Sequence, residues 1–218
     1  MMARMHPVFE RLGESRLAAV VMIENEEHAV PLARALLAGG VTAMELTLRT
    51  DVALESLKQI GIEVPEMMVG AGTVLREEQV SAARDAGAAF GVAPGTNRRI
   101  LAAAKDAGFP FAPGIATPTD IELALEFDCR VLKFFPAEGM GGLKYLTSIA
   151  IPYRQLGLRY IPLGGVHEGN LASYTTSPDI LAVGGSWLAP RSLLDTGDWK
   201  GIESLARRAV ALIGGTGE

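Results

Sequence analysis

The sequence predicts an α/β protein built as a parallel (β/α)8 (TIM) barrel, and two observations carry that expectation. Eight short apolar, β-branched runs recur with starts roughly 20–29 residues apart, room for one strand, one helix and two short loops. Alanine-rich segments with apolar residues at helical spacing fill the intervals. Eight such units in about 200 residues point to parallel strands joined by crossover helices. A doubly wound open sheet shares this alternation and stands as the alternative, although no G-x-G-x-x-G follows the first strand.

The elements follow in order. A short N-terminal helix is expected at about 6–15 and a first strand at "AAVVMI" (18–23). "EHAVPLARALLAGG" (27–40) reads as a helix closed by glycine. Pro31 is tolerable only in a first turn, which places the start near His28 or later. Strands at "AMELTL" (43–48) and "MMVGAG" (67–72) precede a helix at "EEQVSAARDAGA" (77–88). "AAFGVA" (88–93) and "PFAPGI" (110–115) are the next strands. The helix "TPTDIELALEFD" (117–128) carries Thr119 three residues before Glu122, the spacing of a capping box. "RVLKFF" (130–135), "RYIPLG" (159–164) and "ILAVGG" (180–185) complete the set. No linker or composition shift divides the chain, so one domain over 1–218 is expected.

Composition narrows the function. With 49% hydrophobic and 21% charged residues the chain reads as an ordinary globular protein. Its net charge of −5 and lack of a dense Lys/Arg run argue against nucleic-acid or membrane-surface partners and leave small molecules. No signal-peptide pattern or membrane-length apolar run is present, and the single Cys129 fits a reducing compartment, so a cytoplasmic location is expected. Cys129 itself reads as a core or inert residue. His6, His28 and His167 are scattered without metal-ligand spacing, so neither a metal nor another cofactor is expected.

The chemistry lies in polar residues on apolar strands, read by parity because side chains alternate faces. Glu45, Thr47 and Arg49 share one face of the second strand, opposite Met44, Leu46 and Leu48. Lys133 shares parity with Val131 and Phe135. If both polar faces point inward, an amine, a carboxylate and a guanidinium converge near the strands' C-terminal ends, where barrels place their ligands. Such a trio is either a structural ion network or a Schiff-base lysine with its helpers. "PLGGV" (162–166) and "VGGSW" (183–187) close the seventh and eighth strands, where barrels often bind phosphate. Gly164, Gly165 and Ser186 are the candidate donors there. Thr73 in "VGAGTV" is a further donor or a plain cap, and Pro94 shapes a strand-end loop.

Together "ELTLRT" (45–50), "VGAGTVL" (69–75), "KFFPAE" (133–138) and "GGSWL" (184–188) resemble the 2-keto-3-deoxy-6-phosphogluconate (KDPG) and 4-hydroxy-2-oxoglutarate (KHG) aldolases. The resemblance extends over nearly the whole chain. It implies a metal-free class I aldolase on a homotrimeric (β/α)8 barrel, cleaving the phosphorylated 2-keto acid to pyruvate and glyceraldehyde 3-phosphate. Lys133 matches the Schiff-base lysine and Glu45 the general acid/base. Arg49 and Thr73 match the pyruvate-carboxylate site, Gly164, Gly165 and Ser186 the phosphate site, and Phe135 and Pro94 the pocket walls. One departure stands out: where the family often has "PTGG", Leu163 removes a hydroxyl and adds bulk. Alternatives are a KHG aldolase or oxaloacetate decarboxylase using the same lysine, a non-catalytic phosphosugar-binding barrel, and a phosphosugar isomerase.

Overall fold

A computed structural model describes residues 5–214; of the expected 1–218 domain, residues 1–4 and 215–218 lie outside the described residues. Strands and helices alternate after an opening helix. In chain order they are α1 (Pro7–Ser15), β1 (Leu17–Val21), α2 (Ala29–Ala38), β2 (Ala43–Thr47), α3 (Ala53–Glu63), β3 (Met68–Gly72) and α4 (Glu77–Asp85). β4 (Phe90–Val92), α5 (Arg98–Asp106), β5 (Phe111–Ala112), β6 (Gly114–Ile115), α6 (Pro118–Glu126) and β7 (Val131–Phe134) follow. The last third holds α7 (Gly142–Ala150), β8 (Arg159–Pro162), α8 (Glu168–Thr175), β9 (Val183–Gly185), α9 (Arg191–Thr196) and α10 (Trp199–Gly214).

All strand pairs are parallel. One sheet runs β5-β4-β3-β2-β1-β9 and the other β6-β7-β8. The expected strand at 110–115 is broken into β5 and β6 at Pro113, which has no N–H for the ladder. The Pro113 carbonyl still accepts from the Lys133 N–H at 2.8 Å. At 180–185 only 183–185 form a strand. Upstream, a single Tyr160–Ile180 bridge joins the segment to β8.

Local chemistry explains where the helices begin. α2 starts at Ala29 after a 3-10 turn over Glu26–His28, so Pro31 falls in its first turn. In α6 the cap is Thr117 with Asp120, not Thr119 with Glu122: Pro118 holds the first helical position and fixes the residue before it as N-cap. Asp120 Oδ2 accepts from the Thr117 N–H at 2.8 Å, and Thr117 Oγ1 accepts from the Asp120 N–H at 3.3 Å.

Two apolar layers sandwich the strands. Met44, Leu46, Leu132 and Phe134 pack outward with helix residues such as Leu32, Leu36 and Leu57. Ala43, Met68, Phe90, Val131, Ile161 and Leu163 form the inner layer, which α1 closes from one end with Phe9 and Leu12. The Phe9 and Phe90 rings lie 6.0 Å apart. Each such buried side chain contributes about 1.5–3 kcal/mol of transfer free energy. Along β2 the inward positions change from Ala43 to Glu45 to Thr47, from apolar packing to polar groups toward the strand's C-terminal end.

Candidate active site

Glu45 and Lys133 meet in the interior. Lys133 Nζ donates to Glu45 Oε1 at 2.9 Å and to Oε2 at 3.2 Å. Both residues are almost fully enclosed, 5% and 4% exposed. They come from different sheets, Glu45 at the centre of β2 and Lys133 one residue before the end of β7. The Phe135 ring centroid lies 5.4 Å from Nζ and adds a cation–π contact.

Glycine makes room for this pair. A Cβ on Gly72 of β3 would lie 2.2 Å from Glu45 Oε1, so the carboxylate occupies the volume of a missing side chain. Gly114 pairs with Lys133 across the β6–β7 ladder, and a Cβ there would lie 2.2 Å from the Pro94 carbonyl. Pro94 thus packs its backbone beside the lysine strand. Thr73 follows Gly72 with φ of 57°, a left-handed conformation uncommon for a β-branched residue.

At the strand end beyond Glu45 opens a cleft of about 540 Å³ lined by Thr47, Arg49, Gly165, His167, Ser186 and Trp187, among others. Thr47 is two residues beyond Glu45 on the same face, about 7 Å nearer the strand end. Arg49 is exposed and makes no ion pair among the described residues, so the expected three-membered charge network is a Lys133–Glu45 pair with a free guanidinium at the rim. Gly164 and Gly165 have φ of +91° and +87°, which glycine adopts at little cost. A Cβ on Gly164 would touch the Phe135 ring at 3.1 Å, linking the glycine turn to the lysine strand. Leu163 is turned into the inner apolar layer, its Cγ 2.6 Å from where Gly184 would carry a Cβ.

The structure therefore gathers Lys133, Glu45, Phe135 and Gly164 directly and sets Arg49, Gly165 and Ser186 around the adjoining cleft. Pro94 and Thr73 reach the pair only through Gly114 and Gly72. The role of Gly72 was not anticipated; its signal, a glycine inside "VGAGTV", is shared with any tight turn. Cys129 stands apart, half-buried at the opposite strand ends, and burial pushes its thiol up to about 12. A neutral thiol of that kind is a poor nucleophile.

Residues 8–205 match the family model for KDPG and KHG aldolase. The chain belongs to the KDPG and KHG aldolase family. It is thereby a carbon–carbon lyase of the aldolase type. The aldolase is 45% identical to the 2-dehydro-3-deoxy-phosphogluconate aldolase of Treponema pallidum, over 95% of this chain and 98% of that one. It is 44% identical to the KHG/KDPG aldolase of Escherichia coli K12, over 88% and 89%. A solved KDPG aldolase from Legionella pneumophila, with pyruvate captured as a covalent carbinolamine, superposes with a TM-score of 0.87. That match has 33% identity and covers 92% of this chain and 97% of the other. The KDPG aldolase of Zymomonas mobilis ZM4, solved with 3-phosphoglycerate, gives 0.86 at 39% identity, over 94% and 95%. Among the described residues no group of three or more His, Cys, Asp or Glu side chains is gathered as for a metal, and no helix is long and apolar enough to cross a membrane.

Proposed function

We propose that this aldolase reversibly cleaves 2-keto-3-deoxy-6-phosphogluconate to pyruvate and glyceraldehyde 3-phosphate through a Schiff base on Lys133. The observation that carries the reading is the buried Lys133–Glu45 contact at 2.9 Å, with Thr47, two residues beyond Glu45, lining an open cleft. Glu45 takes a proton from the Lys133 ammonium, and the neutral amine attacks the substrate's C2 ketone. Glu45 returns that proton to the departing C2 hydroxyl, and loss of water leaves an iminium whose charge faces the restored Glu45 carboxylate. Glu45 then removes the C4 hydroxyl proton; the C3–C4 bond breaks, C4 becomes the aldehyde carbon, and the bonding electrons enter the enamine. Return of that proton to C3 and hydrolysis of the imine release pyruvate and lysine. General acid–base help of this kind is worth about 10²–10⁴-fold.

Arg49 is assigned to the carboxylate of the keto acid, as a guanidinium favours bidentate pairing, with Thr73 as a further donor. Gly164, Gly165 and Ser186 are assigned to the phosphate, and Phe135 and Pro94 to the walls. The presence of 3-phosphoglycerate in the Zymomonas relative supports a phosphate subsite. A second reading, cleavage of 4-hydroxy-2-oxoglutarate, uses the same pair, and the Escherichia coli relative carries both names.

The two sheets are read as one eight-stranded (β/α)8 barrel. Continuity through Pro113 and the 179–185 segment, bonded to β8 at one end and β1 at the other, supports this closure. A single domain over 1–218, a homotrimer and a cytoplasmic location complete the proposal; the last two rest on family resemblance and on composition.

The test is incubation with pyruvate and borohydride, with mass-spectrometric mapping of the adduct. A reduced pyruvate on Lys133 is expected, and its loss together with turnover in Lys133→Ala. An active Lys133→Ala protein overturns the lysine assignment, and a folded protein that forms no adduct favours the non-catalytic binding barrel instead.

A further inference from the structure

The Gly164–Gly165 turn leans on a carboxylate, which is an unexpected neighbour for a site reserved for an anion. The Glu138 N–H donates to the Gly164 carbonyl at 2.9 Å, and the Ala137 N–H to the Leu163 carbonyl at 2.7 Å. Gly165 lies flush against Glu138: a Cβ there would sit 2.6 Å from Glu138 Cβ and 2.8 Å from Cγ. The methylenes of Glu138 face the glycine, while its carboxylate accepts a hydrogen bond from the hydroxyl of Tyr174. Tyr174 is fully buried on α8, the helix that follows the glycine turn, and Gly142 closes over the contact from the other side. Burial first, then the Glu138 carboxylate, holds the phenol well above its ordinary range, so it stays a donor.

We propose that Tyr174 and Glu138 are a positioning pair for the phosphate end of the substrate: the Tyr174 hydroxyl turns the Glu138 carboxylate away from the Gly164–Gly165 turn and so keeps that turn's N–H groups open to an oxyanion. The proposal rests on the phosphate assignment made above. An untethered carboxylate beside Gly165 can swing toward the turn, where its charge opposes a phosphate dianion.

The experiment compares wild type, Tyr174→Phe and the double variant Tyr174→Phe/Glu138→Gln. For each, KM and kcat are measured with KDPG and with unphosphorylated KHG, together with competitive inhibition by inorganic phosphate. Tyr174→Phe is expected to raise KM for KDPG and the inhibition constant for phosphate by roughly tenfold, about 1.4 kcal/mol, which lies between the bulk-water and near-surface values for one charge pair at contact. Its kcat and KM with KHG stay near wild type. The double variant is expected to recover phosphate binding, because the amide carries no charge; a merely structural role would make it worse than the single. Wild type inhibited by phosphate but Tyr174→Phe unchanged, or a double variant weaker than the single, overturns the pair. A wild type indifferent to phosphate overturns the phosphate assignment itself, and the pair with it.

Discussion

Gly72→Ala isolates the geometry of the proposed catalytic pair without touching either member. The new methyl would lie 2.2 Å from Glu45 Oε1, 2.5 Å from Cγ and 2.7 Å from Cδ. To reach an ordinary contact of 3.4 Å the carboxylate has to retreat by about 1.2 Å. That takes it off the position giving hydrogen bonds of 2.9 and 3.2 Å to Lys133. Gly72 is not in the left-handed region, so alanine brings no backbone strain and the effect is steric. Misplacement of about 1 Å costs on the order of 10²-fold in rate, while overpacking of this size costs roughly 1–3 kcal/mol of stability. The assay is pyruvate release followed by lactate dehydrogenase, with a thermal melt on the same sample. We expect kcat to fall about a hundredfold in a protein that stays folded. Gly61→Ala on α3, where a Cβ meets nothing within 4 Å, is the matched control and should gain roughly 0.5–1 kcal/mol. A Gly72→Ala enzyme with kcat within about threefold of wild type refutes the claim that Glu45 must sit in this volume.

Four further outcomes are expected. Glu45→Gln should lower kcat by about 10²–10⁴-fold in a folded protein, and near-normal turnover counts against its acid–base role. Replacing both partners, Glu45→Met with Lys133→Met, should abolish turnover yet leave stability unchanged or raised by about 1–4 kcal/mol in urea unfolding, because a buried pair is no more stable than a well-packed apolar one. Cys129 and Tyr160 keep their protons to about 12 in the fold, chiefly through burial, against 9.0 and 10.0 for the same groups in water. The unfolded chain therefore binds fewer protons above about pH 9, and stability is full below that pH and falls as pH rises toward about 12. Urea midpoints at pH 8, 9 and 10 test this, and Cys129→Ala should flatten the first part of the decline. Thr117→Ala removes the α6 cap and should cost about 1 kcal/mol, a Tm loss of about 2–4 °C, with activity intact.

Much of this was legible in the sequence because it depends on local pattern. Every predicted strand run contains a strand, since β-branched runs between polar turns have few other ways to be buried. The errors share a cause: a stronger local signal lay beside the one used. Pro113 inside "PFAPGI" announces a break in the ladder, and Pro118 announces Thr117 as the cap. Parity brought Glu45 and Lys133 to one interior, because alternation needs no knowledge of the partner strand. It does not carry Arg49 into contact with the pair, because β2 ends at Thr47 and alternation ends with it. The service of Gly72 was invisible for another reason. It depends on β2–β3 register, with Thr47 opposite Gly72, which no single strand encodes.

The surroundings of the Lys133–Glu45 pair also explain why a fold would keep so costly a feature. Beneath it lie Ala43, Met68, Phe90 and Val131, an apolar layer that stays packed whichever way the pair is charged. Beside it Gly72 and Gly114 withhold side chains, so the two charged groups occupy space the backbone leaves vacant and displace no core residue. On the proposed mechanism a substrate carbonyl arriving from the cleft would meet an amine whose proton acceptor is already 2.9 Å away, with no water between them. Stability alone does not select such an arrangement, since an apolar pair would serve as well. Removing one partner leaves the other buried and uncompensated, which holds the pair in register until a ligand reaches it. On the proposed mechanism, the same close contact that leaves the pair no better than neutral for folding makes its proton transfer short and directed.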